Sequence, residues 1–155
     1  MRRLILMFGI LCGFLLVPIV ASAAPATIDT SSSAQATSKA SQRKTFFDTV
    51  NDVHWAFYYN GAAIEYSYST DGVNWTSAGT LAYNTASFSV VYKVISATPY
   101  VFVVSEANSY DIVIRRWALN PTSIVFAAAQ TVYNGTALAD HYSSPTVVLN
   151  GSDNV

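Results

Sequence analysis

Apolar and polar residues alternate along most of the chain after residue 44, in short runs separated by turn residues. Alternation with a period of two is typical of a β-strand that buries one face. In one such run Ile64, Tyr66 and Tyr68 share a face, while Glu65 and Ser67 share the other. The pattern predicts strands over 45–50, 54–59, 62–69, 75–83, 88–94, 99–105, 110–119 and 124–133, and a further strand over 144–149.

These strands form two similar units of four, about 45–83 and 87–133, and residues 144–155 resemble the start of a third. Four strands repeated every 40 to 50 residues, as a rough guide, are typical of propeller blades. We therefore predict an all-β fold, a partial β-propeller of two four-stranded antiparallel blades plus the start of a third. A β-sandwich of eight short strands has the same strand spacing and stays open as the alternative.

A different pattern precedes the strands. Arg2 and Arg3 are followed by an almost wholly apolar run from Leu4 to Val20, and then by the small residues 21–23. This is the pattern of a secretory signal peptide, and the run is shorter than the roughly 20 residues of a membrane-spanning helix. We predict that residues 1–23 are removed after Ala23, and that the protein is secreted without a stable membrane anchor.

Residues 24–43 are rich in serine, threonine and alanine, and Ile28 is their one large apolar residue. A segment with so little to bury does not offset its ordering entropy. The composition predicts a flexible, disordered linker over 24–43, so the folded domain spans 44–155.

Composition narrows the chemistry of the mature chain. Cys12 is the only cysteine and lies in the predicted signal, which leaves no disulfide and no thiolate metal ligand. Without Arg2 and Arg3 the formal charge is −3, and no basic patch for nucleic acid is present. His54 and His141 are far apart in sequence, so we predict neither a metal site nor a cofactor.

The turn between the third and fourth strands of the first unit carries the most specific motif, Ser69-x-Asp71-Gly72-x-x-Trp75. It resembles the Asp box of sialidases and other secreted propellers, whose pattern is S-x-D-x-G-x-T-W; here the loop is one residue shorter. The resemblance implies the first blades of a sialidase-like (BNR, or Asp-box repeat) β-propeller. It also implies that these four residues are structural and lie on the outer rim, and we expect the Trp75 ring to pack between neighbouring sheets.

A sialidase-like active site would need three arginines around the substrate carboxylate, a Tyr–Glu nucleophile pair and an acid/base aspartate. After residue 23 the chain has only Arg43, Arg115 and Arg116 as arginines. Arg115 and Arg116 are neighbours on a strand, so they point to opposite faces and do not converge on one carboxylate. We therefore assign no residue of this chain a catalytic role from the sialidase resemblance, and we predict that the chain is non-catalytic as it stands.

Four residues remain as candidate ligand contacts. Arg43 lies just before the first strand and Asp48 lies on it, where propeller sites converge. Tyr110 lies at the loop end of a predicted strand and Tyr142 lies in a predicted loop, where aromatic rings serve as binding anchors. The simpler interpretation of Asp48 is a polar group whose hydrogen bonds are satisfied inside the protein.

These observations favour a secreted sialidase-like module that binds glycans or cell-surface material without catalysis. The alternative is the N-terminal fragment of a secreted glycoside hydrolase, with its catalytic residues on missing blades. A surface adhesion or structural module is a third possibility. Two blades do not close a ring, so we expect self-association if the chain is this short.

Overall fold

The computed structural model describes residues 25–37, 39, 41–107, 111–135 and 144–150, so the predicted signal peptide lies outside the described residues. Eight strands are present: β1 (Thr45–Asp48), β2 (Val53–Tyr59), β3 (Ile64–Ser69), β4 (Thr76–Leu81), β5 (Phe88–Ile95), β6 (Thr98–Ala107), β7 (Asp111–Leu119) and β8 (Ile124–Tyr133). The eight strands predicted between residues 45 and 133 are confirmed, with ends that shift by a few residues. Among the residues that the structure describes, no helix is long and apolar enough to cross a membrane.

The strands form two four-stranded antiparallel sheets, each a simple meander. Sheet 1 has the order β1-β2-β3-β4 and sheet 2 the order β5-β6-β7-β8, so every strand pairs only with its neighbours in the chain. The all-β prediction is confirmed at this level. Residues 144–150 form no strand, so the predicted first strand of a third unit is not present there.

The two sheets pack against each other through one face each. Trp55 and Phe57 of β2 meet Phe88 of β5 and Val101 and Val103 of β6 in a single cluster, and each is at most 1% exposed. β1 and β5, the first strands of the two sheets, lie next to each other. Alternation explains the arrangement, because every second residue of an inner strand such as β2 or β6 faces this shared core.

The opposite face of sheet 1 is covered by the N-terminal arm, which we define as residues 25–37. The hydroxyl of Tyr58 donates to the carboxylate of Asp29, and the Ser31 hydroxyl donates to the Tyr59 carbonyl at 2.8 Å. The Tyr59 N–H donates to the Ala36 carbonyl at 3.3 Å. Part of the segment predicted to be a flexible linker therefore lies against the sheet. Polar side chains and backbone groups make this contact. The prediction of a flexible linker considered only apolar burial, so it did not include these hydrogen bonds.

The segment 144–150 runs beside the start of β5. The Ser144 N–H donates to the Ser87 hydroxyl at 2.6 Å, and the Gln42 side-chain amide donates to the Pro145 carbonyl at 3.0 Å. The chain segments that precede β1 and β5 thus both bind this third segment. They meet at one end of the interface between the sheets.

Candidate functional site

The structure does not bring Arg43 and Asp48 together. They are five positions apart along a nearly extended chain, or about 16 Å at the usual rise of a strand. Arg43 is exposed, and its carbonyl accepts the Val90 N–H at 2.9 Å. Arg43 thus joins the two sheets through its backbone, at the opposite end of β1 from Asp48.

Asp48 is fully buried, and its carboxylate accepts several hydrogen bonds. One carboxylate oxygen accepts the Val50 and Asn51 N–H groups at 2.9 and 3.3 Å, and the other accepts the Asn51 side-chain amide at 2.7 Å. The hydroxyl of Tyr92 on β5 donates to the first of these oxygens at 3.0 Å. Asp48 therefore fixes the β1–β2 turn and links the sheets, as expected of a satisfied polar group.

The other two candidate contacts, Tyr110 and Tyr142, lie outside the described residues. Within the part of the chain that the structure describes, no three His, Cys, Asp or Glu side chains group closely enough to hold a metal ion.

The box residues form a tightly bonded turn between β3 and β4. One Asp71 carboxylate oxygen accepts the Val73 and Asn74 N–H groups at 2.8 and 2.7 Å and the Ser69 hydroxyl at 2.9 Å. The other oxygen accepts the Asn74 side-chain amide at 2.6 Å, and Gly72 has the positive φ of 71° that the turn requires. These bonds, those to Asn74 above all, hold the pKa of Asp71 well below its usual range. The bonds from Ser69, Val73 and Asn74 to Asp71 all lie within the turn, so they stabilise the turn itself.

Trp75 does not lie between the two sheets. It is partly exposed, and its ring meets the edge of the His54 ring with centroids 6.5 Å apart. His54 pairs with Ser69 and Phe47, which places it on the face of sheet 1 that points away from sheet 2. Trp75 therefore covers the far face of sheet 1 near the box.

A buried polar cluster lies where the segments before β1 and β5 meet. The Lys44 ammonium donates to the Phe88 carbonyl at 2.6 Å, the Gln42 side-chain oxygen at 3.2 Å and the Ala86 carbonyl at 3.3 Å. It also lies 3.1 Å above the centre of the Phe88 ring. Burial, aided by repulsion from Lys39, lowers the pKa of Lys44 to about 7. All of the partners are neutral, so Lys44 serves as a connector between the sheets.

The connection from β4 to β5 forms one wall of an open cleft against the end of β6 and the middle of β7. We call it the junction cleft and define it by its chemically active residues: Tyr83, Asn84, Thr85, Glu106 and Arg115. Its volume is about 580 Å³, which is within the roughly 300–1,000 Å³ of small-molecule sites. The described residues of the junction cleft supply a cation, a carboxylate, an amide, a hydroxyl and an aromatic ring.

Arg115 is the central group of the junction cleft. Its guanidinium carbon lies 3.9 Å from the centre of the Tyr83 ring, and one nitrogen donates to the Ser105 hydroxyl at 2.9 Å. Burial lowers the pKa of Arg115, because desolvation disfavours its charge. Its neighbour Arg116 lies instead over the Tyr100 ring at 4.8 Å, so the two guanidinium groups have separate surroundings, as strand alternation predicts.

Comparisons with known proteins give no identification. No family, no curated protein sequence and no solved structure matches this chain. The case for function therefore depends on the geometry of the site.

The junction cleft was not predicted from the sequence. Arg115 was considered only as a member of an arginine cluster, and Tyr83 only as the end of a strand. The two residues are 32 positions apart, and they meet because the β4–β5 connection crosses from one sheet to the other. A polar Asn-Thr pair directly after a tyrosine, at the boundary between two repeats, was the available signal.

Proposed function

We propose that this protein is an exported, non-catalytic binding module of the sialidase-like propeller type, and that its junction cleft binds a carboxylated sugar. Export is supported by the signal-peptide pattern of residues 1–23. The observation that carries the binding proposal is the Arg115 guanidinium stacked on Tyr83 in an open polar cleft.

The propeller interpretation has two supports. Each sheet is a four-stranded meander, and the first strands of the two sheets lie side by side, as the inner strands of adjacent blades do. The Asp-box turn connects the third and fourth strands of sheet 1, which is its place in such blades. Neither feature identifies a ligand, because fold does not imply function.

The ligand class follows from the chemistry of the junction cleft. Arginine offers several N–H donors in a planar fork that suits a carboxylate, and only one of its bonds goes to Ser105. Thr85 and Asn84 add groups that bind hydroxyls, and the Tyr83 ring adds an apolar surface. A bound carboxylate would also provide a counter-charge for the partly desolvated guanidinium, and Glu106 would favour ligands that carry hydroxyl or amide donors.

Catalysis of the sialidase type has no support among the described residues. The junction cleft holds one arginine, whereas the substrate clamp of such enzymes uses three. Arg43 lies before β1 and Arg116 lies over Tyr100, so neither joins Arg115. Binding without turnover is the chemistry that this arrangement supports.

A titration of the mature protein with N-acetylneuraminic acid and with uncharged hexoses tests the proposal, with a glycan array as the wider screen. We expect saturable binding of the acidic sugar, and an affinity loss of about tenfold or more in Arg115→Lys, which keeps the charge but loses the fork. Arg116→Lys is the matched control and should bind normally.

Two results would contradict the proposal. Turnover of a fluorogenic sialoside would favour the alternative of a glycoside hydrolase. A folded protein that binds no glycan on the array would favour the adhesion or structural module with a protein partner.

A further inference from the structure

The outer edge of sheet 2 is formed by β8, and it is unusually apolar for an edge strand. Its ten residues, Ile124–Tyr133, include no charge, no glycine and no proline. Val125, Phe126 and Val132 are 55%, 54% and 62% exposed. An edge strand presents unpaired backbone N–H and C=O groups, and proteins usually protect it with charges, proline or a short length.

The outer edge of sheet 1 is shorter and more polar. β4 has six residues, and it carries Gly79 and the polar residues Thr76, Ser77 and Thr80. Its large apolar residue, Leu81, is buried. The two edges occupy the same place in their meanders, so the difference lies in the residues.

The geometry of β8 is compatible with a two-fold contact. Irregularities of register next to Trp117 and Val113 leave Ala128–Thr131 as the regular central stretch. The centre is made of small residues, which lets a second backbone approach closely. Larger apolar side chains lie on both sides of this centre. The order of small and large side chains is therefore similar in both directions along the strand, as a two-fold contact requires.

We propose that β8 pairs in antiparallel fashion with β8 of a second copy, across a two-fold axis at Ala129, to form one continuous eight-stranded sheet. In this register Ala128 lies opposite Gln130 of the partner subunit, and Val125 lies opposite Tyr133 of the partner subunit. Within one copy these four residues pair with Arg116, Ile114, Ala118 and Ile112, which share the face of sheet 2 away from sheet 1. The side chains of each proposed pair thus lie on the same face.

A second copy fits this edge better than a foreign strand of different character. The edge has no charge with which to recognise a charged peptide, and antiparallel pairing of identical strands is self-complementary. The formal charge of the mature chain is only −3, so repulsion between copies is small. The pairing does not depend on the proposed sugar binding.

Light scattering after size exclusion, over a concentration series of the mature protein, tests the pairing. We expect a dimer whose fraction rises with concentration. Ala129→Glu should weaken the dimer at least tenfold, because it places two carboxylates at the axis while Arg115 on β7 favours the same carboxylate within one copy. Val50→Glu changes a similarly exposed residue far from β8 and should leave the dimer intact.

A cysteine at the axis gives a second readout. Residues that face each other across an antiparallel pair have Cα atoms about 4.5–5.5 Å apart, which suits a disulfide. The mature chain has no other cysteine, so Ala129→Cys should form a covalent dimer under mild oxidation, much faster than Val50→Cys. A monomer at every concentration, a dimer that survives Ala129→Glu in a folded variant, or equal crosslinking rates would each overturn the proposal.

Discussion

Sheets 1 and 2 have the same topology and share one core, yet their remaining surfaces differ. The far face of sheet 1 carries small residues such as Ala56 and Ser67, and Trp75 and the N-terminal arm each lie over part of it. The far face of sheet 2 carries larger apolar residues such as Phe102 and Ile114, and its outer strand is largely exposed. Alternation and turns therefore specify the meander. The residues outside the shared core decide which surfaces of each sheet are covered and which stay exposed.

The stability of both sheets depends on their shared core. Trp55→Ala tests this dependence and has the largest expected effect. Trp55 is 0% exposed and contacts the rings of Tyr66 and Tyr68. We expect a loss of about 3–5 kcal/mol in the free energy of unfolding, by urea denaturation. Amide exchange should accelerate in both sheets, and protection that persists in sheet 2 alone would show that the sheets are independent. Trp75→Ala, at a partly exposed residue, should cost less.

The turns before β4 and β8 provide a second contrast. Gly72→Ala should cost about 1–2 kcal/mol, because its φ of 71° disfavours a side chain. The added Cβ would also lie 3.4 Å from a ring nitrogen of His54. In the β7–β8 turn, Asn120→Ala loses only an exposed 3.4 Å bond to Ser123 and should cost less than about 0.5 kcal/mol. Equal losses in chemical denaturation would contradict the view that the box stabilises sheet 1 specifically.

The covering of sheet 1 by the arm is tested by Tyr58→Phe. This change removes the hydroxyl that donates to Asp29 and leaves the ring in place, so it should cost about 1 kcal/mol. Nuclear magnetic resonance relaxation should show increased motion over residues 25–37. Tyr100→Phe on the far face of sheet 2 is the matched control. An arm that moves as before in Tyr58→Phe would show that this hydrogen bond does not hold it.

The last prediction concerns the pH dependence of the contact between the sheets. Because burial lowers the pKa of Lys44 from 10.5 to about 7, the unfolded chain binds more protons than the folded one between these values. Stability should therefore rise with pH across this window, which thermal unfolding from pH 6 to 9.5 would show. Lys44→Met should flatten the rise, and Lys93→Met should not. A rise that is unchanged in Lys44→Met would assign it to another group.

Much of the fold was predictable from the sequence, because strand alternation and turn chemistry are local. The structure ends β1 earlier than predicted, since the buried Asp48 carboxylate binds the N–H groups of Val50 and Asn51 and turns the chain. The positive φ of 59° at Asp52 completes the turn. An Asn-Asp pair marks a turn in the sequence, but not the residue at which the strand ends.

The position of Trp75 shows where local reasoning stops. The resemblance to an Asp box led us to expect it between neighbouring sheets, and the structure places it against His54 instead. The face on which a residue lies after a tight turn depends on the dihedral angles of that turn, and alternation does not carry through it. The junction cleft was missed for a related reason, because Tyr83 and Arg115 meet through the packing of two sheets.

The meander order of the strands also has a kinetic meaning. Every backbone ladder in sheet 1 joins adjacent strands within residues 45–81, so no strand has to wait for a distant partner. Contacts that are close in sequence cost little loop-closure entropy and form early. As the chain leaves the ribosome, sheet 1 can assemble first and offer the surface around Trp55 as a template on which sheet 2 condenses.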